Sequence, residues 1–232
     1  MRHGQASLHA ADYDQLSDLG ATQSRTLGRW WAERGRRFDA VYVGPQKRHR
    51  QTEAALREGA AEAGLELPQA VALPEVGEMD ATAVFAEAMK RVAVAAPDLR
   101  SQLKEGELSN EGRVAMRHMA GISAKLFERW AQGDATLEMP ETYLEFEGRV
   151  VSGLQAVMKA QRRGKQTLVV TSGGPTTIAL KLALGLDPGR ALHLMSVIYN
   201  ASVTELKYTE NRLTLGAFNQ AGHLPPSMLT KV

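Results

Sequence analysis

An arginine, a histidine and a glycine stand together as Arg2, His3 and Gly4, ahead of any helix- or strand-like segment. The imidazole of a histidine can be neutral near pH 7 and is then a competent nucleophile. The guanidinium of an arginine presents a planar fork of donors to phosphate oxygens, and glycine lets the backbone approach a ligand closely. These residue types are suited to hold a phosphoryl group and to attack its phosphorus atom.

Three further stretches carry groups that would complement this histidine. Arg48 follows the apolar run FDAVYVG, Glu75 lies in the loop LPEVGE, and TSGGP joins an apolar run to a helix-like one. A carboxyl group can protonate a leaving alkoxide, and a helix that begins near Pro175 directs free N–H groups at an anion. Ligands of open α/β sheets bind beyond the carboxyl ends of the strands. The sequence therefore predicts that Ser172 and Gly173 meet the arginines and His3 in one pocket.

Each of these signals is weak by itself. A histidine near a terminus is usually solvated, KRHRQ is usually an exposed helix start, and a loop carboxylate such as Glu75 is more often solvated than catalytic. Glycine-rich turns between a strand and a helix are common. His49 is adjacent to Arg48 and can face either the pocket or solvent, so the sequence leaves its role open.

The elements around these residues alternate between helix and strand patterns. Apolar residues at helical spacing, including Leu27 and Trp31, precede the strand-like FDAVYVG, and an alanine-rich helical stretch follows it. QTLVVTSGG reads as a second strand that enters a helix, and SVTELKY and RLTLGAF read as an antiparallel hairpin. This alternation predicts an α/β fold, namely a three-layer α/β/α sandwich around a mostly parallel sheet.

The middle of the chain has a different character. From about Ala81 to Gly133 it is helix-prone and almost free of strand signals. We interpret this region as a helical insertion in a single domain that spans residues 1–232. A strand that ends at Arg2 and His3 should be preceded by apolar residues, and only Met1 precedes them. Either an upstream segment is missing from the sequence, or the central strand is unusually short.

Composition excludes several classes of function. The 232 residues include no cysteine, which rules out disulfides, thiol catalysis and cysteine-based metal sites. A net charge of +2, with aromatic residues at 6%, does not favour nucleic-acid binding. No stretch has the length and apolarity of a signal peptide or a membrane span, so we expect a soluble, cytoplasmic protein with no membrane partner.

In order and spacing, these motifs resemble those of the histidine phosphatase superfamily, also called the phosphoglycerate mutase-like proteins. RHGQAS is similar to the signature of that family, and VYVGPQKRHRQTEAAL is similar to its pattern Ser-Pro-x-x-Arg-Ala-x-Gln-Thr-Ala. LPEVGE stands where the family has its acid-bearing loop, and FNQAGHLP resembles the family's closing Asn-x-x-x-His-Leu. The resemblance covers nearly the whole chain except its helical middle.

The resemblance implies a role for each residue. His3 would be the nucleophile and would become a phosphohistidine, Arg2 and Arg48 would bind the phosphoryl group, and Glu75 would donate the proton. No metal or other cofactor is implied. The family normally has a second histidine in a Ser-His-Gly-Gly turn, where this chain has Ser172. A serine hydroxyl offers one neutral hydrogen bond in place of a charge-assisted one, and the expected loss is on the order of 100-fold in rate.

Two functions therefore compete. The first is hydrolysis of a small phosphomonoester through a phosphohistidine on His3. The second is a non-catalytic or weakly active member that binds phosphate or a phosphorylated small molecule, with Ser172 as its main feature. A mutase is less favoured because mutases of this family normally retain both histidines. On this reasoning, the substitution Ser172→His should raise the rate at which His3 is phosphorylated.

Overall fold

The computed structural model of the chain describes residues 1–6, 14–93, 109–134, 136–161, 164–209 and 212–231. Its α-helices are α1 (Asp18–Glu33), α2 (Lys47–Glu62), α3 (Thr82–Ala93), α4 (Asn110–Ala131), α5 (Tyr143–Ala160), α6 (Gly173–Leu184) and α7 (Pro188–Met195). Its strands are β1 (Ala40–Val43), β2 (Ala70–Ala72), β3 (Thr167–Val170), β4 (Val203–Thr209) and β5 (Arg212–Gln220). Short 3₁₀ turns occupy Pro74–Val76 and Pro226–Met228.

The sheet topology confirms the predicted parallel arrangement. Strands β2, β1 and β3 lie side by side in that order, and both pairings with β1 are parallel. Because β1 and β3 are parallel, their carboxyl ends lie at the same edge of the sheet. Strands β4 and β5 form the predicted antiparallel hairpin.

Alternate residues of the strands pack against different helical layers. Val41 of β1 and Leu168 of β3 face a core shared with α1 and α2. Tyr42 and Val169, one position further along each strand, pack on the opposite side with Val157 of α5. This period of two places helices on both faces of the sheet, which confirms the three-layer α/β/α class.

The helical middle of the chain packs as a second core. Two of its segments form α3 and α4, and residues 94–108 between them lie outside the described part of the chain. Phe127 and Trp130 of α4 are buried together with Val84 of α3 and Phe146 of α5. The aromatic rings of Trp130 and Phe146 have centroids 5.7 Å apart. Among the described residues, no helix combines the length and apolarity needed to cross a membrane.

Residues 1–3 take the place of a central strand. Arg2 forms a parallel bridge with Thr171, and its backbone N–H donates to the carbonyl of Ser202 at 3.0 Å. The amine of Met1 donates to the carbonyl of Val169 at 2.6 Å, and burial lowers the pKa of this amine to about 5. Behind Met1, a cavity of about 380 Å³ lies between residues of β3 and β4. Residues 1–3 therefore lie between Thr171, which follows β3, and Ser202, which precedes β4.

Helix α7 is an element that the sequence analysis did not predict. It begins at Pro188, after Asp187, whose side chain accepts a hydrogen bond from the backbone N–H of Arg190 at 3.0 Å. An aspartate N-cap followed by proline at the first helical position is a known start signal. Only 8 residues follow this signal in helical form, so the apolar periodicity is too short to stand out.

Helices α1 and α2 pack backbone against backbone, and this contact should be sensitive to a single methyl group. A Cβ atom on Gly28 would lie 2.1 Å from the carbonyl oxygen of Leu56. We expect Gly28→Ala to lower the free energy of unfolding by about 1–3 kcal/mol or more in urea titrations. The matched control is Gly148→Ala in α5, where a Cβ meets nothing within 4 Å. The control should stabilise the protein by about 0.5–1 kcal/mol, and equal effects of the two variants would contradict the packing argument.

Candidate functional site

The backbone of His3 is held between the segment that follows β3 and the turn that precedes β4. Its N–H donates to the carbonyl of Thr171 at 2.8 Å, and its carbonyl accepts from the N–H of Ala201 at 3.0 Å. The next residue, Gly4, donates from its backbone N–H to the hydroxyl of Thr52 on α2 at 3.0 Å. These bonds hold His3 at the carboxyl edge of the sheet, close to the start of α2.

The imidazole of His3 is neutral, and its contacts fix which ring nitrogen carries the proton. Its Nδ1 atom lies 2.6 Å from the carbonyl oxygen of Gly4, and its Nε2 atom lies 3.2 Å from the Nε atom of Arg48. A carbonyl only accepts and a guanidinium only donates, so the proton belongs on Nδ1 and the lone pair on Nε2. Burial, followed by the charges of Arg2 and Arg48, holds the pKa of His3 well below its usual value. The lone pair is therefore available at neutral pH.

Arg48 connects three groups of the site. Besides the contact with His3, one terminal nitrogen lies 3.4 Å from the hydroxyl oxygen of Ser172. The other forms an ion pair with Asp14 at 2.8 Å. The side chain of Arg48 is 10% exposed, so its charge acts in a poorly solvated place. Arg48 is thus placed to hold an anion beside both His3 and Ser172.

Arg2 adds a second buried cation near the same imidazole. Its side chain donates to the carbonyl of Ile198, in the segment that follows α7. Its charge is the second cause, after burial, of the lowered pKa of His3, and it offsets a small part of the rise in the pKa of Glu78. The structure therefore brings both predicted arginines, Arg2 and Arg48, close enough to His3 for their charges to lower the pKa of its imidazole.

The turn between β3 and α6 contributes a helix N-terminus. Ser172 is the N-cap residue in extended conformation, and Gly173 and Gly174 open the helix. The backbone N–H of Gly174 donates to a carboxylate oxygen of Glu78 at 3.1 Å. A Cβ atom on Gly174 would lie 2.0 Å from the other oxygen of that carboxylate, so glycine is needed for this close approach. The turn is thus already arranged to hold a negatively charged oxygen.

The structure separates the two glutamates of the loop LPEVGE. The side chain of Glu75, which the sequence analysis named as proton donor, packs toward α5, where its Cβ atom limits the space above Gly153. The backbone carbonyl of Glu75 accepts from Arg149 at 2.8 Å. Glu78, three residues later, is the one whose carboxylate lies at the N-terminus of α6. Glu75 therefore lies against α5 and Glu78 at the turn before α6, and the choice of Glu75 as proton donor stays a prediction.

Burial gives the Glu78 carboxyl an altered acidity. Burial raises its pKa, and this effect exceeds the opposing effects of the Gly174 N–H and of the charges on Arg48 and Arg2. A carboxyl group with a raised pKa keeps its proton to higher pH, which suits a proton donor. The sequence signal for Glu78 was present in the same LPEVGE stretch, but spacing alone does not distinguish the two carboxylates.

His49, whose role the sequence left open, is buried inside the site. It is fully shielded from solvent, and its Nε2 atom lies 2.6 Å from the hydroxyl oxygen of Ser172. The centroids of the His3 and His49 rings are 5.6 Å apart. Burial, with a smaller contribution from the charge of Arg48, lowers the pKa of His49 to about 3, so this imidazole is neutral near pH 7. The site thus contains two neutral imidazoles. That of His3 contacts Arg48 directly, and that of His49 contacts the Ser172 hydroxyl, which Arg48 also contacts.

Comparison with solved structures identifies the fold. The structure matches phosphoglycerate mutase from Bacillus anthracis at a TM-score of 0.60 and 17% identity, covering 96% of this chain and 92% of that one. It matches a putative alpha-ribazole-5'-P phosphatase from Escherichia coli at 0.62 and 16% identity, with 95% and 94% covered. It matches a phosphoserine phosphatase variant from Entamoeba histolytica in complex with phosphoserine at 0.61 and 13% identity, with 97% and 96% covered.

A family model provides the sequence-level evidence. No curated protein sequence matches the chain significantly. The model of the histidine phosphatase superfamily, branch 1, matches residues 81–221, which is more than half of the 232 residues. The matched region contains Ser172 and the helical middle, whereas Arg2, His3 and Arg48 precede it. Roles for these three residues therefore depend on the site geometry. The chain belongs to the histidine phosphatase superfamily.

Proposed function

We propose that this protein hydrolyses a small phosphomonoester through a phosphohistidine formed on His3. The observation that supports this most directly is the state of the His3 ring, which is neutral with its Nε2 lone pair directed at Arg48. A histidine with only a structural role would not need a lone pair directed into a cluster of buried cations. Membership of the histidine phosphatase superfamily agrees with this chemistry.

Phosphate binding would use groups that already hold carboxylates. Asp14 pairs with Arg48, and Glu78 accepts from the N–H of Gly174 at the start of α6. Both side chains mark positions where oxygen atoms that accept hydrogen bonds are stabilised, by a guanidinium beside Asp14 and by a helix N-terminus beside Glu78. We infer that a phosphoryl group displaces them in part and contacts Arg2, Arg48, Ser172 and the backbone of Gly173.

The proposed reaction has two steps. In the first, the Nε2 lone pair of His3 bonds to phosphorus as the bond to the ester oxygen breaks, and that oxygen takes the proton of Glu78. In the second, water attacks the phosphohistidine, gives its proton to the Glu78 carboxylate and releases phosphate. The lone pair returns to Nε2, so the enzyme ends in its starting state. The arginines stabilise the charge that develops on the phosphoryl oxygens in both steps.

The experiment that tests this function measures turnover across a panel of phosphomonoesters with and without excess chelator. We expect slow hydrolysis of an aryl phosphate that a chelator leaves unchanged, since the proposed steps use only side chains. Denaturing the protein during turnover in alkali should preserve a phosphate that mild acid removes. Turnover that requires an added metal ion, or a protein that carries no such phosphate, would refute the proposal.

A second candidate function is binding of a phosphorylated ligand without hydrolysis. The observation that favours it is the full burial of Ser172, together with the carboxylates that already contact Arg48 and the start of α6. A ligand must displace these carboxylates before it reaches His3. Calorimetry with inorganic phosphate or phosphoserine distinguishes the two functions, because a pure binder shows saturable heat and no release of product.

The choice of proton donor gives a paired prediction. Glu78→Gln should lower turnover of an alkyl phosphate by about 100-fold or more, because a poor leaving group needs a proton. The same variant should lower turnover of a nitrophenyl ester much less. It should also remove the fall in kcat/KM at high pH, since the raised pKa of Glu78 marks loss of the donor proton. The matched control Glu75→Gln should retain activity. If instead Glu75→Gln loses activity and Glu78→Gln retains it, Glu75 is the proton donor.

A further inference from the structure

His49 is a buried polar residue that the two-step reaction does not use. It lies in the first turn of α2, directly after Arg48, and is 0% exposed. Its Nε2 atom contacts the Ser172 hydroxyl at 2.6 Å, and that hydroxyl also accepts from Arg48 at 3.4 Å. A fully buried imidazole is costly unless its polar atoms are used. Its Nδ1 atom has no hydrogen-bond partner among the described residues, so the polar contact that the ring makes is the one from Nε2 to a residue of the turn between β3 and α6. This points to a role in the site.

The space for this ring depends on residue 44. A Cβ atom on Gly44 would lie 2.3 Å from Nδ1 and 2.9 Å from Cε1 of His49. Any larger residue at position 44 would therefore push the ring away from Ser172. A short side chain at position 172 is needed for the same reason, because the imidazole ends 2.6 Å from the hydroxyl oxygen.

Three positions at which this chain differs from the family-like pattern lie around the ring of His49. The pattern has serine before proline, alanine after arginine and histidine in the turn, whereas this chain has Gly44, His49 and Ser172. In the structure, Gly44 and Ser172 each lie against the ring of His49. In this chain the second imidazole of the site extends from α2 and not from the turn, and the side chains at positions 44 and 172 are small enough to admit it.

We propose that His49 is a positioning residue for phosphoryl transfer, which donates from Nε2 to the Ser172 oxygen and directs the Ser172 hydroxyl proton at a phosphoryl oxygen. The inference rests on the proposed function and adds a residue to its machinery. Ser172 is then the group that touches the substrate, and His49 acts through it.

The direction of the hydrogen bond between His49 and Ser172 follows from the charge of the ligand. If the serine donates to Nε2, its single proton is used and only lone pairs face the phosphoryl oxygens. If His49 donates, the serine oxygen accepts from both His49 and Arg48, and its proton remains for the anion. A negatively charged phosphoryl oxygen stabilises the second arrangement. A neutral imidazole has one N–H, so donation from Nε2 leaves the lone pair on Nδ1, which is buried beside Gly44 and has no hydrogen-bond partner among the described residues. The bond between Arg48 and Ser172 and the charge of the ligand must offset this cost.

This arrangement changes the expected effect of Ser172→His. The sequence alone suggests that this substitution raises the rate of His3 phosphorylation. In the structure, the imidazole of His49 already fills the space that a histidine at position 172 would need. We therefore expect the single substitution to lower the rate. The triple variant Ser172→His, His49→Ala, Gly44→Ser returns the imidazole to the turn, and it should phosphorylate His3 faster than Ser172→His alone.

The decisive experiment is a double-mutant cycle on single-turnover phosphorylation of His3 by an aryl phosphate. His49→Ala and Ser172→Ala should each lower the rate constant by about 100-fold with a much smaller change in the substrate concentration at half-saturation. The double variant should be no more than about threefold slower than either single variant, because the two residues act as one unit. Independent effects that multiply would overturn the proposal.

Two further variants separate positioning from packing. His49→Gln retains a side-chain N–H donor and should recover part of the rate, whereas His49→Phe fills the space without a donor and should not. Thermal unfolding of each variant shows whether the fold is intact. Equal rates for the glutamine and phenylalanine variants would overturn the proposal. The exposed His118→Ala is the matched control and should leave the rate unchanged.

The outcomes also distinguish this proposal from the proposed function. If the unmodified protein forms phosphohistidine and the His49 variants match it, the role of His49 is refuted and the phosphatase function remains. If the unmodified protein forms no phosphohistidine, both proposals fail together.

Discussion

Replacing His3 by alanine is expected to abolish the phosphoenzyme and to lower turnover by at least about 10⁴-fold. The reason is that Nε2 of His3 supplies the electron pair for the new bond to phosphorus, and the other groups of the site only bind or donate. His3 is 6% exposed, and its ring contacts Arg48 at 3.2 Å. In the alanine variant the two arginines remain, so binding of inorganic phosphate should persist. The measurement combines incorporation of labelled phosphate with calorimetry.

The control for this prediction is another histidine that lies outside the site. His193 is exposed on α7 and contacts Glu128, so His193→Ala should retain both labelling and turnover. Retention of turnover in the His3 variant would assign the hydrolysis to another nucleophile or to a contaminant. Loss of phosphate binding together with turnover would indicate a disrupted site, and circular dichroism would then show whether the fold had changed.

The second large effect is loss of stability in mild acid. Burial lowers the pKa of His3, of His49 to about 3 and of His223 to about 4. Between the ordinary histidine pKa of about 6.5 and these values, the unfolded chain binds more protons than the folded one. The stability that these groups contribute is therefore present above pH ~6.5 and is lost as pH falls toward the folded-state pKa. The buried amine of Met1 acts in the same direction, from its usual value of 8.0 down to about 5.

His49 allows an estimate because it is fully buried. Protonation of the unfolded chain at this one residue should cost about 2 kcal/mol of folding free energy between pH ~7.5 and pH ~5. Typical domains have only about 5–15 kcal/mol in total, so several such groups acting together should unfold the protein in mild acid. Glu78 partly opposes the trend, because its raised pKa lets the folded state take up a proton as pH falls.

Urea titrations at a series of pH values measure this dependence. The free energy of unfolding should fall steadily below pH ~6.5, with a slope that reports the number of protons taken up. His49→Gln removes one titrating group. The free energy of unfolding of this variant should therefore fall by about 2 kcal/mol less than that of the parent protein between pH ~7.5 and pH ~5. If the free energy of unfolding of His49→Gln has the same pH dependence as that of the parent protein, His49 is protonated in the folded state. If the free energy of unfolding of the parent protein does not change with pH, the lowered pKa values of the three histidines are contradicted.

Local signals were enough to predict most of the elements and the fold class. Helix α1 has apolar residues at helical spacing, and β1 and β3 are short apolar runs closed by turn residues. These signals lie within a few residues along the chain, so they can be read without tertiary contacts. The short helix α7 was missed because 8 residues are too few for periodicity to stand out.

The sequence was also enough to predict which kinds of groups the site contains. The histidine, the arginines and the helix N-terminus can be recognised from residue type and from their positions after a strand. Which glutamate reaches the turn, and where His49 points, were decided only by tertiary structure. Glu75, inside the 3₁₀ turn, lies against α5, and Glu78, beyond the end of that turn, lies at the start of α6. The space beside Gly44 admits the His49 ring. The sequence by itself determined which groups are available, whereas their contacts depend on elements far apart in the chain, because backbone packing across the sheet sets the distances between them.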